Sequence, residues 1–351
     1  MQGDGAIRSV PGGSCVLLDT RCAVTHLNLA RHRPTNHRRL DRFSPLLAAL
    51  TVTLLLAACQ EPPVSWEPVR FIALGDTGEG NDDQYAVAGV MKDVCAANGC
   101  DFALLLGDNI YDTGVTSLDD IQWQDKFELP YAELDFPFYA VLGNHDYGLL
   151  LPDEDKADFQ VAYTAQSEKW TMPARHYLHT HQNIDFLALD TSAMYFASSL
   201  IELYEAQKGW LDEHLSAADP TRWRIAYGHH PYLSNGPHGN AGWYDGLTPE
   251  VPNISGIALK ELFDEHLCGR VDLYLCGHDH HREWLEETCQ GTQFMVSGAG
   301  AKLRDFVNDQ DVHWGDDTTE GFAWFEVEGN SLTVQWWDMF GEMNYEGGWM
   351  K

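Results

Sequence analysis

Apolar runs at Phe71 to Leu74, Phe102 to Leu106, Phe138 to Leu142, Ile225 to Tyr227 and Val271 to Leu275 each give way within a residue or two to a glycine and a cluster of polar residues. Runs this short and uniformly apolar, bounded by turn residues, predict strands buried on both faces. The whole pattern predicts strands at 69–75, 102–107 and 136–142, two across 175–190, and further strands at 222–228, 271–277, 292–297, 321–328 and 331–338. Helices are predicted at 83–97, 199–216 and 256–267. The last two strands are joined by Gly329-Asn330, a tight-turn pair that predicts a β-hairpin. Early alternation of strand and helix followed by a run of strands predicts an α/β fold of two packed sheets covered by helices. The loops at 112–135, 147–174 and 232–252 are long for a compact domain, and such loops usually shape a site.

Five polar clusters follow the apolar runs in order: GDTG at 75–78, GDNIY at 107–111, GNHD at 143–146, GHH at 228–230 and GHDH at 277–280. In open α/β sheets ligands bind at the carboxyl edge, so clusters spread over the sequence can converge where their strands surface. Carboxylate, amide and phenolate oxygens suit hard cations, and imidazole suits iron, zinc and manganese. Two metals about 3.5–4 Å apart need a bridging carboxylate and then clamp both the attacking and the leaving oxygen of a displacement at phosphorus. Asp76 and Asp108 are the candidate carboxylates, and His278 and His280, two residues apart, can face the same side of an extended segment. Taken singly, Asp76 reads as a helix cap and Tyr111 as packing; their occurrence together in order points to a metal site instead.

The N-terminus reads differently. Arg31, Arg33, Arg38, Arg39 and Arg42 precede the apolar stretch 45–58, which ends in Leu56-Ala57-Ala58-Cys59. That order is expected of an export signal, and the stretch is shorter than the roughly 20 residues needed to span a bilayer. LAAC resembles a bacterial lipobox, which implies lipid on Cys59 with cleavage before it. The expected organisation is therefore 1–58 as N-terminal extension and lipoprotein signal peptide, 59–67 as a tether containing Pro62 and Pro63, and 68–351 as the enzymatic domain. Gln60 after Cys59 resembles outer-membrane sorting, so the expected location is exported and lipid-anchored, at the outer membrane or cell surface.

Seven of the 22 basic and three of the 53 acidic residues precede Cys59, leaving 15 against 50 in the mature chain. That balance lacks the basic footprint of a nucleic-acid binder. Export permits disulfides; Cys95–Cys100 and Cys268–Cys289 are candidate pairs, and the sequence leaves the connectivity open. Cys276, inside an apolar run, is then a buried thiol. No CxxC or other zinc-type spacing occurs.

The ordered motif set resembles the calcineurin-like metallophosphoesterases, and Tyr111 in GDNIY makes it similar to their purple acid phosphatase branch, the small tartrate-resistant type 5 enzymes in particular. The resemblance covers nearly all of 68–340 and implies a four-layer αββα sandwich. Position by position it implies that Asp76, Asp108, Tyr111 and His280 hold Fe(III), and that Asn144, His229 and His278 complete a second site for a divalent ion of iron, zinc or manganese. Asp108 bridges the two. It assigns His145 to the substrate or leaving group, and His238 loosely to a further active-site histidine that is either a proton donor or a polar loop residue. His230 stands where mammalian relatives carry tyrosine, so motif alignment selects His229 for the metal. His281 is expected at the surface or just behind the ligands. The tryptophan-rich end, with Trp336, Trp337 and Trp349, is expected to serve as core or rim.

The implied activity is hydrolysis of small phosphate monoesters by a metal-bound hydroxide. A phosphodiesterase or nucleotidase on the same centre is the alternative enzyme. The alternative outside enzymes is a surface lipoprotein whose metal site is only structural. The implied partner is a small phosphoester, with membrane contact only through lipid on Cys59.

Overall fold

A computed structural model describes residues 66–351 except 149–150, 197–198, 217–218, 220 and 251–253. The basic and apolar segment before Cys59, and Cys59 itself, lie outside the described residues.

The apolar runs form the strands that the sequence predicts. Strands β1 (Val69–Leu74), β2 (Phe102–Leu105) and β3 (Phe138–Ala140) lie parallel, with β4 (Trp170–Thr171) at one edge. On the other side β1 pairs antiparallel with β12 (Gly321–Glu328), followed by β13 (Ser331–Asp338) and β14 (Met343–Met350). The second seven-stranded sheet runs β11 (Val312–Asp316), β9 (Arg282–Leu285), β10 (Gln293–Ser297), β8 (Leu273–Cys276), β7 (Trp223–Tyr227), β6 (Ile184–Ala188), β5 (Tyr177–His181). Phe71 and Phe102 of the first sheet meet Phe186 of the second edge to face, each pair 5.2 Å between ring centroids, so the two sheets share one core.

Helix α1 (Asp82–Asn98) covers the first sheet. It is capped by Asn81, whose side chain accepts from the Gln84 amide, and it buries Val87, Met91 and Val94. On the second sheet lie α4 (Ile201–Leu215) and α5 (Ile257–Leu262), which continues into a wider turn through Leu267. The short helices α2 (Glu154–Tyr163) and α3 (Ser192–Tyr195) complete the set. The order of layers is helix, sheet, sheet, helix, as expected.

The structure pairs Cys95 with Cys100 and Cys268 with Cys289, and Cys276 is a buried free thiol. Trp336 is buried, while Trp337 and Trp349 pack half-buried against the core. Six elements were not predicted, among them the two-residue β4 and the single-turn α3. Helix α2 lies within the stretch read as a loop, because EDKADFQVAY carries only a faint apolar stripe. Strand β9 begins with Arg282 and Glu283, both fully buried, a composition that hides a strand. Strands β11 and β14 are sheet edges, and β14 contains Gly347 and Gly348.

Candidate metal centre

In-register pairing lines up the strand ends. Leu74 lies opposite Leu105 and Leu105 opposite Ala140 in one sheet, while Tyr227 lies opposite Leu275 in the other. The residues just beyond these ends, carrying Asp76, Asp108, Asn144, His229 and His278, therefore meet at one carboxyl edge. The backbone there is strained. Asp76, Asp108 and His278 have φ of 58°, 51° and 70°, a conformation of order 1–3 kcal/mol for a non-glycine residue. The surrounding contacts sustain it. The His278 amide donates to Asp76 Oδ2 at 2.8 Å, and the His145 amide donates to Asp108 Oδ1 at 2.9 Å. A side chain at Gly143 has no room, since its Cβ would lie 2.1 Å from Asp108 Oδ1.

The expected ligands form two groups. In the first, the Tyr111 hydroxyl donates to Asp76 Oδ1 at 2.8 Å, and His280 Nε2 lies 3.3 Å from that hydroxyl and 3.4 Å from Asp76 Oδ1. In the second, His229 Nε2 lies 3.1 Å from Asn144 Oδ1, 3.1 Å from His278 Nδ1 and 3.4 Å from Asp108 Oδ1. The two groups adjoin at Asp108, which offers a ligand atom within 4.8 Å of those of both Asp76 and His229. Asp76, Asp108, Tyr111, His229, His278 and His280 are all buried; Asn144 and His145 are half-buried.

The hydrogen count shows that the cluster fits cations. His229 Nδ1 faces the Leu106 carbonyl at 2.9 Å, and because a carbonyl only accepts, that nitrogen carries the proton. Its Nε2 then turns a lone pair toward a carboxylate and an amide oxygen, an arrangement that needs a proton or a metal ion between them. Without metal a proton takes the place. Burial opposes the charge on His229, but the Asp108 carboxylate overrides burial and pushes the imidazole up to about 9. Asp108, although fully buried, is held well below the ordinary carboxylate range by His229 and His145. Asp76, Asp108 and His229 present ligand atoms that all lie within 4.8 Å of one another.

His145 donates from Nδ1 to the Asp112 carbonyl at 2.6 Å, which leaves Nε2 directed toward the site, 4.0 Å from Asp108 Oδ2. The His238 ring lies 4.2 Å from that of His278. Its Nδ1 is 2.8 Å from Asp245 and its Nε2 is 3.1 Å from Arg304 Nη1. Arginine only donates, so His238 carries its proton on Nδ1. His230 backs the ligands: its ring lies 4.4 Å from that of His278 and stacks on Tyr195, and its Nδ1 engages Thr191. His281 is not at the surface: it is fully buried and bonds Glu283 Oε1 at 2.8 Å, because β9 carries Glu283 inward.

Two aspartates inside the motifs have supporting parts that the sequence did not reveal. Asp146 accepts from the amides of Asn109, Ile110 and Gly143 and from the side chains of Asn109 and Gln160, bracing GDNIY against GNHD. Burial first, then the nearby Asp108 charge, push its carboxyl up to about 6. Asp279 holds the loop bearing His238 through Ser234 Oγ and the amide of His238. Each is the last or third letter of its motif, a signal that was present in the sequence.

Residues 69–282 match the family model described as Calcineurin-like phosphoesterase. The chain is 30% identical to Purple acid phosphatase 3 of Arabidopsis thaliana over 78% of this chain and 76% of that protein. It is 28% identical to Tartrate-resistant acid phosphatase type 5 of Homo sapiens, covering 83% of this chain and 95% of that one. Among solved structures, GAP50 of Plasmodium, described as the anchor in the inner membrane complex, superposes with a TM-score of 0.65 at 22% identity over 81% of this chain and 89% of that chain, a likeness of fold.

Proposed function

We infer from this site, in a chain that belongs to the calcineurin-like phosphoesterases and within them to the purple acid phosphatases, that the protein hydrolyses phosphate monoesters at a dinuclear metal centre. The observation that carries this reading is the convergence of ligand atoms from five strand ends into two adjoining groups, with Asp76, Asp108 and His229 offering ligand atoms within 4.8 Å of one another.

Asp76, Tyr111 and His280 are assigned to Fe(III), Asn144, His229 and His278 to a divalent ion of iron, zinc or manganese, and Asp108 to both. When bound, the two ions supply Lewis acidity toward phosphoryl oxygens and draw the pKa of water toward neutrality. The chain's own residues position and protonate. His145 keeps Nε2 toward the site because Asp112 engages its other nitrogen, so a proton held there can serve a phosphoryl oxygen or the leaving alkoxide. His238 stands beside His278 as the second candidate for that work, and it presents Nε2 once Arg304 moves aside. The basic segment, the apolar stretch and LAAC, in that order, support export and lipid anchoring through Cys59 at the outer membrane or cell surface.

The test is turnover of an aryl phosphate by the purified protein before and after treatment with a chelator. Turnover should fall to background when the metals leave and return when iron is restored with zinc or manganese. Undiminished turnover by protein shown to be metal-free would end this reading.

A further inference from the structure

We propose that Lys302 is a positioning residue acting through Tyr111: its ammonium lies on the face of the metal-binding ring and weakens the electron donation of the phenolate. The proposal rests on the assignment of Tyr111 to ferric iron made above. Lys302 Nζ sits 3.7 Å from the centroid of the Tyr111 ring, well inside the roughly 6 Å over which a cation is attracted to an aromatic face.

The contact is built into the fold. After β10, the chain turns through Gly298-Ala299-Gly300 against the first motif, where the Gly300 amide donates to the Gly75 carbonyl at 3.0 Å and a Cβ at Gly300 would lie 2.4 Å from that carbonyl. The turn brings Lys302 to Glu79, just beyond GDTG, and the two form an ion pair. Arg304 follows, its amide donating to the carbonyl of His280 at 2.8 Å. Residues 300–304 are thus tied to both the first and the fifth motif, and the Lys302 ammonium is held rather than free. A second cation, Lys126, bonds the Tyr111 backbone carbonyl and Gln122. In a chain with 22 basic and 53 acidic residues, two lysines meeting at one tyrosine need a cause other than surface solvation.

A positive charge over the ring lowers the energy of the filled phenolate orbitals. The metal is bound at the phenolic oxygen, at the ring's periphery and farther from the ammonium, so its acceptor orbitals are lowered less. The gap for charge transfer from phenolate to iron widens, and the weaker donor leaves the iron easier to reduce. A bare tyrosinate holds iron ferric; Lys302 counters that tendency without touching the metal.

The test is the visible spectrum of iron-loaded full-length protein, with the reduction potential as a second reading. Lys302→Met should move the absorption band to longer wavelength and make the iron harder to reduce, while Lys302→Arg, which restores a cation, returns the band toward its wild-type position. Lys126→Met, which loses a contact to the backbone rather than the ring, should leave the band in place. An unmoved band in Lys302→Met, or an equal shift in Lys126→Met, overturns the proposal while the ferric assignment stands. Should Lys302→Met fold poorly, Lys302→Gln reads the same shift with a hydrogen-bonding side chain retained. A colourless wild type loaded with iron overturns the ferric assignment and this proposal with it.

Discussion

Tyr111 donates its phenolic hydroxyl to Asp76 Oδ1 at 2.8 Å, which ties the end of the second motif to the first across the parallel pair β1 and β2. The bond occurs only because both side chains leave adjacent strands at the same edge. In the proposed centre an ion would take the place of that proton, with Asp76 and Tyr111 both offering it an oxygen.

Tyr111→Phe should abolish the visible band of the iron-loaded protein while leaving the fold intact, since the ring is buried and only its oxygen is lost. Part of the turnover should survive if another metal replaces iron. Absorption and metal analysis check this, and a variant as strongly coloured as wild type would remove Tyr111 from the ligand set.

Asp108→Asn should loosen both metals of the proposed centre, because its carboxylate lies within reach of both groups and would balance two cations. The loss of turnover should exceed the about 10- to 100-fold typical of removing a group that merely supports a ligand. Metal content by elemental analysis decides the matter; full occupancy with normal turnover would contradict the bridging assignment.

Gly143→Ala should damage the same carboxylate from behind. Its new methyl would lie 2.1 Å from Asp108 Oδ1 and 2.2 Å from the Asp108 amide nitrogen, so Asp108 must move. The expected outcome is reduced metal content and turnover with a near-wild-type circular dichroism spectrum. An alanine variant that binds metal normally would show that the loop yields without cost.

His179 should make the protein acid-sensitive independently of the metals. Its ring stacks on Tyr139 at 3.8 Å and on Phe186 at 4.9 Å, its Nδ1 has no partner, and burial pushes its pKa down to about 2. The folded protein therefore holds it neutral, while the unfolded chain protonates it near 6.5. This contribution to stability is complete above pH 6.5 and is lost as the pH falls toward 2, at no more than about 1.4 kcal/mol per pH unit. His179→Phe should flatten the fall in melting temperature between pH 6.5 and 4. An unchanged slope would mean that other groups set it.

Cys59→Ala should yield an unlipidated, poorly processed precursor, because the thiol is where lipid would attach. Membrane fractionation with lipid labelling checks this. A wild-type protein that stays soluble and carries no lipid label would remove the anchor from the proposal.

Much of the site was legible before folding because each motif is a local unit: an apolar run, then a glycine and ligand side chains. Asp108 and Tyr111 lie three residues apart, and His278 and His280 two, so the types and their order are read directly from neighbouring letters. The hairpin at Gly329-Asn330 was legible for the same reason, since turn chemistry is local, whereas the pairing of the cysteines was left to the fold. Where local composition misled, the structure differed: Arg282 and Glu283 look like surface residues but are buried in β9, and of the two places expected for His281 it takes the inner one, bonded to Glu283.

The resemblance implied which residues stand together, but only tertiary structure gives the physical reason. The separation of Asp76, Tyr111 and His280 from Asn144, His229 and His278 depends on strand register in two different sheets, and register is set by core packing between residues far apart in the chain. The same holds for Lys302, nearly two hundred residues beyond the tyrosine that it covers. The sequence by itself determined the inventory of donors and the strand that delivers each one. Their mutual distances, their burial and the charges that face them arise from contacts between segments that no local pattern links, and these only the packed sheets could decide.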